Sequence, residues 1–453
     1  MGKYMANYTF TTIDDLKTDI RALAPTIPFA DPVDVSVFTK PLAVEGFTLP
    51  NRLCAHPMEG RDAAADGGPG ELTTRKYTRI AAGGTGLIWI EATAVTPEGR
   101  SHPRQLWIHR NNRDAFKQLV DDIRRHARDW NGKAIKPLIL LQLTHSGRYS
   151  KPEGKPAPVI AYHSPVLDPS HKLTADYPLV TDDYLDNLMD QFVAAAHYAQ
   201  ECGFDGVDVK ACHGYLLHEL LSAYTRTDSR YGGSFENRSR FLVESARRIK
   251  AAIPDNFIVT TRVNVHDAYP HPHGFGMKPG GGLDDDMTEP EQLLQSLQDG
   301  DMAMASIAFG NPYYNPHIER PYERPVAGGL PPKENPLTAI ERMIRITAGL
   351  SRKFPRLATV SVGFSWLRTF YPHIVAAMLE QQMCSVAGVG RLSLAYPDYA
   401  NDLLGRGFVD PRQVCTACSC CSQIMRDGGK AGCVVRDANI YMPIYREGRQ
   451  AAK

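Results

Sequence analysis

The stretch Gly203-Phe-Asp-Gly-Val-Asp-Val-Lys-Ala-Cys-His-Gly-Tyr215 decides the fold. Its apolar run, 206–209, is too short for a helix and holds two β-branched valines, so it reads as a buried strand. Lys210, His213 and Tyr215 follow at its C-terminal end. Amphipathic stretches with helical spacing flank it at 186–201 and 238–252, which makes the unit helix, strand, helix. The same alternation runs along most of the chain. Strands are expected at 52–56, 86–90, 137–143, 206–209, 257–263, 302–307, 358–362 and 384–387, with further helices at 113–130, 336–353 and 370–380. Strands that are apolar almost throughout, each followed by a helix, imply a parallel sheet covered on both faces. Eight of them close a (β/α)₈ barrel. A doubly wound sheet would want a Gly-x-Gly-x-x-Gly turn after an early strand, and none is present there.

The fold class is therefore α/β, a (β/α)₈ TIM barrel over residues 37–407. An N-terminal extension, 1–36, precedes it, and a short Cys-rich segment and tail, 408–453, follow. Within the extension a helix begins after Thr12 as N-cap and stops before Pro25. Three connections are too long to be turns: 145–183, 266–289 and 309–335. All follow strands, so in a barrel they rise from the C-terminal face, where active sites are built.

Bulk properties narrow the function class. The 453 residues are 43% hydrophobic and 22% charged, with a formal net charge of +1. That balance lacks the electrostatic footprint of a nucleic-acid binder. No apolar run reaches the roughly 18–20 residues needed to cross a bilayer, so no membrane partner is expected. The first residues lack the basic-then-apolar order of a secretory signal, and Ala6 stands where a myristoylation motif wants Ser or Thr. A cytoplasmic enzyme acting on a small molecule is expected, with its thiols reduced. Cys54, Cys202, Cys212 and Cys384 read as buried core thiols.

The strand ends contain neither a Ser–His–Asp arrangement nor a carboxylate pair spaced for glycoside hydrolysis. They carry His56-Pro-Met-Glu-Gly60, Glu91-Ala-Thr93, Gln142-Leu-Thr-His-Ser-Gly-Arg148, Lys210 to Tyr215, Arg262 and Gly390-Arg391. The turns Val362-Gly-Phe-Ser365 and Gly388-Val-Gly-Arg391 offer backbone N–H groups and a guanidinium, which suits a phosphate-bearing cofactor across the barrel mouth.

Together with Arg226-Thr-Asp-Ser-Arg-Tyr-Gly-Gly-Ser-Phe-Glu-Asn-Arg238, the opening stretch resembles the signature of the Old Yellow Enzyme family, FMN-dependent barrel oxidoreductases. The likeness extends from about residue 37 to 407. It implies FMN contacts from Pro57, Met58 and Ala92 to the flavin ring, and from Gln142 to its pyrimidine edge. Arg262 would stand beside the atoms that become negative on reduction. Gly363, Gly390 and Arg391 would clamp the phosphate. On the substrate side the family pattern of two histidines, or histidine and asparagine, becomes Lys210 and His213. A fixed ammonium favours a carboxylate, enolate-forming carbonyl or thioester. Tyr215 matches the proton donor of ene-reducing members. Glu59 stands at a cofactor-binding position where such members often have Thr or Cys to tune the flavin; pointing inward, its carboxylate would raise the cost of the reduced anion, and an outward orientation is also open to it.

The last feature is Cys415-Thr-Ala-Cys-Ser-Cys-Cys421 with Cys433. Three cysteines at intervals of three plus a distant fourth resemble the loop that holds an iron–sulfur cubane, whereas zinc prefers two separated knuckles. Zinc and an empty site stay open on spacing alone. The iron–sulfur branch of the same family, with 2,4-dienoyl-CoA reductase and trimethylamine dehydrogenase as types, carries four cysteines just after the barrel. That resemblance implies a [4Fe–4S] cluster on Cys415, Cys418, Cys421 and Cys433, with Cys420 as the rival third ligand. No nucleotide-binding domain follows in this sequence, so a separate electron-transfer protein is the expected partner, and NAD(P)H as external donor is the other route. Homo-oligomerisation is compatible with the sequence. Two reactions compete: reduction of an activated C=C bond with Tyr215 as proton donor, and oxidation of a C–H beside nitrogen. For the second, Tyr313, Tyr314 and Trp366 are the candidate aromatic walls, although Lys210 would repel a cationic amine.

Overall fold

The structure is a computed structural model, and it describes residues 8–131, 135–253 and 256–452. Among the described residues there are ten strands: β1 (Leu42–Val44), β2 (Phe47–Leu49), β3 (Leu53–Ala55), β4 (Leu87–Ala94), β5 (Leu138–Thr144), β6 (Gly206–Val209), β7 (Ile258–His266), β8 (Met304–Phe309), β9 (Ala358–Ser361) and β10 (Val386–Val389). The last eight form a closed barrel in the order β10-β3-β4-β5-β6-β7-β8-β9, every pair parallel. Each expected run is a barrel strand. β4 and β7 continue past their expected ends because register shifts between Ile90 and Thr93 and between Asn264 and His266 let the chain keep pairing.

The antiparallel hairpin β1–β2 falls outside the expected elements. Glu45 and Gly46 both have positive φ, the two-residue turn that matches strand twist. Val44 and Leu49 pack with Trp89, Leu140, Met304 and Val360, so the hairpin plugs the N-terminal end of the barrel. Outside, the helix Arg113–Asn131 buries Phe116, Leu119 and Ile123, and the helices Glu71–Ala82, Asp182–Glu201, Phe235–Ala252, Thr288–Asp299, Pro336–Lys353 and Tyr371–Glu380 share the jacket with it.

The extension is anchored to the barrel. Its helix Ile13–Leu23 has the expected Thr12 cap, reciprocated by the Asp15 side chain. Leu16 and Ile20 join a cluster with Trp366 and Tyr371. Trp366 is thus fully buried beneath the extension, edge-on to Tyr8 and Phe10. It does not wall the barrel mouth, which corrects the expectation from sequence: its indole is consumed by the core that seats the N-terminal helix. The C-terminal segment adds the helices Cys420–Arg426 and Ala438–Ala451, joined through Ile424, Ala431, Val434 and Tyr441. Arg75 and Arg79 bind Asp437 at 2.6 and 2.7 Å and tie this segment to the helix Glu71–Ala82. Among the described residues no helix is long and apolar enough to cross a membrane. Cys54, Cys202, Cys212 and Cys384 are buried free thiols.

Candidate active site

The turn after β6 sets the site. Lys210 N bonds Leu143 O at 3.1 Å and Ala211 N bonds Arg262 O at 2.9 Å, which extends the barrel ladder one step beyond the strand. His213 and Gly214 then take positive φ of 67° and 74°. Glycine is required at 214, because a Cβ there would lie 2.4 Å from Asn311 Nδ2. Gly214 N donates to His218 Nδ1 at 2.7 Å, and His218 Nε2 lies 2.7 Å from Asp267 Oδ1, so a buried histidine–aspartate pair holds the turn. Tyr215 then opens the helix Leu216–Leu221 with its ring turned into the mouth.

Four expected residues meet there. The Tyr215 hydroxyl donates to Glu59 Oε1 at 2.8 Å and lies 3.1 Å from the Tyr313 hydroxyl. Lys210 Nζ sits 3.9 Å from the Tyr215 ring centroid and 3.8 Å from Glu59 Oε1. Ser101 Oγ donates to Glu59 Oε2 at 3.0 Å. Glu59 therefore points inward. Burial, reinforced by the Glu59 carboxylate, pushes the Tyr215 phenol well above its ordinary pKa. Burial lowers the pKa of Lys210, opposed by Cys212 and Glu59. Tyr313 stacks on Tyr149 with centroids 3.9 Å apart and forms one aromatic wall; Tyr314 is half-exposed and edge-on to Tyr269.

His213 is drawn elsewhere. Its Nε2 lies 3.0 Å from Glu319 Oε1, and Arg262 Nη2 lies 3.6 Å from the same oxygen. Burial, then Arg262, lowers the His213 pKa to about 3, so the imidazole is neutral at neutral pH. Burial opposes ionisation of Glu319, but His213, Arg320 and Arg262 outweigh it and hold the carboxyl below the usual range. Sequence reasoning missed Glu319. It belongs to the short helix Pro316–Glu319 in the middle of a long connection, where no motif marks it.

Asp208 organises the opposite side from inside the barrel. It accepts from Gln142 Nε2 at 2.5 Å, Trp89 Nε1 at 3.0 Å and Arg262 N at 2.7 Å. Burial raises its pKa to about 6, against the Gln142 and Arg262 donors. Gln142 is thereby held in one orientation. Ala92 lies in the irregular part of β4, where its carbonyl accepts from Gln105 Nε2 at 3.0 Å. Pro57 and Met58 follow β3. Met58 lies against Gly390, where a Cβ would come within 2.9 Å of its sulfur. Gly363 has φ of 102°, and a Cβ there would meet Met343 Sδ at 2.5 Å. Arg391 Nη2 donates to Pro321 O at 2.7 Å, while its Nη1 and Arg262 Nε are buried without a hydrogen-bond partner. Two glycine turns, two guanidinium groups with unused donors and an oriented amide form a donor set whose chemistry fits a phosphate-bearing flavin.

The family model for the NADH:flavin oxidoreductase / NADH oxidase family matches residues 36–279. The chain belongs to this family. An NADPH dehydrogenase of Clostridium acetobutylicum is 30% identical over 226 residues, 49% of this chain and 62% of the relative. The chain spans about three fifths of that relative's length. Among solved structures, 2-naphthoyl-CoA reductase in complex with 2-naphthoyl-CoA is similar with a TM-score of 0.70 and 18% identity, covering 93% of this chain and 59% of that one. Histamine dehydrogenase from Rhizobium sp. 4-9 is similar with a TM-score of 0.63 and 21% identity, covering 82% of this chain and 48% of that one. At these identities the structural likeness speaks for the fold.

Beyond the matched residues, Cys415, Cys418, Cys420, Cys421 and Cys433 all line one pocket, and Arg391 forms part of its wall. Ala417 and Ser419 take positive φ, which curls the loop between the first thiols. Ala417 N lies 3.4 Å from Cys415 Sγ, and Arg436 N lies 3.3 Å from Cys433 Sγ. Amide donors aimed at sulfur suit metal-bound thiolates. Cys420 also packs against the apolar contact of Ile424 and Tyr441. Among the described residues, no group of three or more thiol, imidazole or carboxylate side chains is already gathered for a metal ion.

Proposed function

We propose that this protein is a flavin-dependent oxidoreductase that uses FMN and a [4Fe–4S] cluster to reduce an activated C=C bond in an α,β-unsaturated carboxylate, carbonyl or thioester. The observation that carries this reading is the convergence of the buried Lys210 ammonium and the Tyr215 hydroxyl on one face of the mouth. Pro57, Met58, Ala92, Gln142, Arg262, Gly363, Gly390 and Arg391 would hold FMN, which supplies hydride chemistry when bound. Lys210 attracts the activating oxygen of the substrate, a role in which a buried point charge is strong. Tyr215 carries the proton for the α-carbon and keeps it until needed, because burial and Glu59 raise its pKa. Glu59 holds the hydroxyl in place. His213 stands beside Lys210 and serves as a neutral partner for the same oxygen once released from Glu319. Cys415, Cys418, Cys421 and Cys433 would hold the cluster, with electrons from a separate protein or from NAD(P)H.

A second reading, oxidation of a C–H beside nitrogen, is favoured by one feature: Glu59 and the stacked pair Tyr149–Tyr313 give the mouth a carboxylate and an aromatic wall suited to a cation. Lys210, within that wall, opposes it. Binding of an anionic phenol to the oxidised protein, followed by the flavin spectrum, tests the first reading. A Lys210→Met variant should bind the phenolate about tenfold more weakly, as expected for losing one charged hydrogen bond. Unchanged affinity sinks the oxygen-gripping role.

A further inference from the structure

One segment engages both cations expected to hold the flavin. From the helix Pro316–Glu319 onward, Glu319 Oε1 lies 3.6 Å from Arg262 Nη2 and 3.0 Å from His213 Nε2. Two residues later Pro321 O accepts from Arg391 Nη2 at 2.7 Å. Arg262 ends up beside the flavin pyrimidine and Arg391 at its phosphate under the proposed reading, so residues 319–321 run along the line the cofactor would follow.

The segment is fastened at both ends. On the barrel side Asn315 Nδ2 donates to Asp267 O at 2.9 Å and Ala268 O at 3.1 Å, and its Oδ1 accepts from Asn311 N at 2.6 Å. A Cβ on Gly310 would lie 2.8 Å from Ile318 Cβ, so that corner is tight. On the far side Trp366 Nε1 donates to Glu323 Oε1 at 2.5 Å, Glu323 N donates to Ala417 O at 3.0 Å, and Ala327 N donates to Gln423 Oε1 at 2.5 Å. The strap therefore stretches from the end of β8 to the Cys-rich segment and crosses the flavin cations on the way.

We propose that residues 316–323 are a displaceable strap, in which the Glu319 carboxylate and the Pro321 carbonyl occupy Arg262 and Arg391 until FMN takes both guanidinium groups. The inference rests on the flavin reading above and deepens it. The electrostatics support an exchange. A phosphate monoester carries nearly two negative charges at neutral pH and offers a bidentate partner to a guanidinium. The single backbone carbonyl now on Arg391 is a weaker acceptor, and its Nη1 is unsatisfied. At Arg262 the carboxylate would give way to the pyrimidine edge, which gains its negative charge on reduction. Displacement also frees the His213 Nε2 now beside Glu319 and leaves it next to Lys210, so cofactor loading and assembly of the substrate-gripping pair are one event. No covalent step is involved.

The test is FMN titration of the flavin-stripped full-length chain, followed by quenching of flavin fluorescence, with hydrogen exchange of residues 316–323 measured before and after loading. In Glu319→Gln the competing charge is removed, so FMN should bind about tenfold more tightly. In the unmodified chain, exchange over 316–323 should rise on loading while exchange over β7 does not. FMN binding with unchanged or increased protection of 316–323 overturns the strap but leaves the flavin reading standing. Tighter binding by Glu319→Gln without that rise in exchange is bulk charge attraction and also overturns it. Binding of FMN to neither protein removes both.

Discussion

Glu59 Oε1 accepts the Tyr215 hydroxyl at 2.8 Å and stands 3.8 Å from Lys210 Nζ. The proton assigned to substrate thus begins on a phenol bonded to a carboxylate, beneath an ammonium stacked on the same ring. Removing the phenol should therefore separate two half-reactions. In Tyr215→Phe, flavin reduction by the electron donor should keep its rate. Transfer to an unsaturated acceptor should slow by about 10²-fold, the usual worth of a positioned general acid. Rapid-mixing measurements of each half-reaction check this, and equal slowing of both contradicts the proton-donor role.

The turn that carries these residues depends on a buried ion network. Arg148 is fully buried, pairs with Glu219, and binds Asp168 Oδ1 at 2.5 Å. Glu219→Ala should destabilise the chain by about 3–5 kcal/mol because it strips a partner from a desolvated guanidinium. Asp168→Ala should cost less, since Asp168 is nearer solvent. Denaturant unfolding of the two variants orders them.

Acid should act through His213. Its pKa is lowered to about 3 by burial and Arg262, whereas an unfolded histidine titrates near 6.5. Between those limits the unfolded chain binds the extra proton, so stability falls as pH drops from about 6.5 towards 3. Glu319, Arg262 and Lys210 face the imidazole: Arg262 and Lys210 add to the lowering by burial, and Glu319 opposes it. His213→Asn should flatten the acid limb of the stability profile over that window. A limb of the same slope would place the acid sensitivity elsewhere.

The third cluster ligand separates two neighbouring thiols. Cys420 is engaged with the helix pair of the tail, and Cys421 is not among those apolar contacts. Cys421→Ser, purified without oxygen, should lose iron and acid-labile sulfide, and Cys420→Ser should retain both. The reverse pattern reassigns the ligand.

Much of this architecture was legible in the residues. Barrel strands such as Leu138–Thr144 announce themselves because both faces are buried and the run is apolar throughout. Lys210, His213 and Tyr215 were legible because strand ends in a barrel face the mouth. The hairpin at 42–49 was hidden: with strands of three residues, it is defined by the barrel floor it fills. Glu319 was hidden for a related reason. Its meaning comes from Arg262 and His213, distant in sequence and brought to it by a long connection. Trp366 misled because an aromatic next to a strand-end glycine has two directions to take, and the extension's helix supplies the deeper pocket. Glu59 left both orientations open until Tyr215 and Ser101 were seen to meet it.

The direction of the reaction is the central claim. The most direct measurement mixes the anaerobically reduced protein with an α,β-unsaturated carboxylate or thioester, mixes the oxidised protein with a methylated amine, and follows the flavin absorbance in each. The reduced flavin should be re-oxidised by the unsaturated acceptor, with no bleaching of the oxidised protein by the amine. Bleaching by the amine, with no re-oxidation by any activated C=C acceptor, would contradict it.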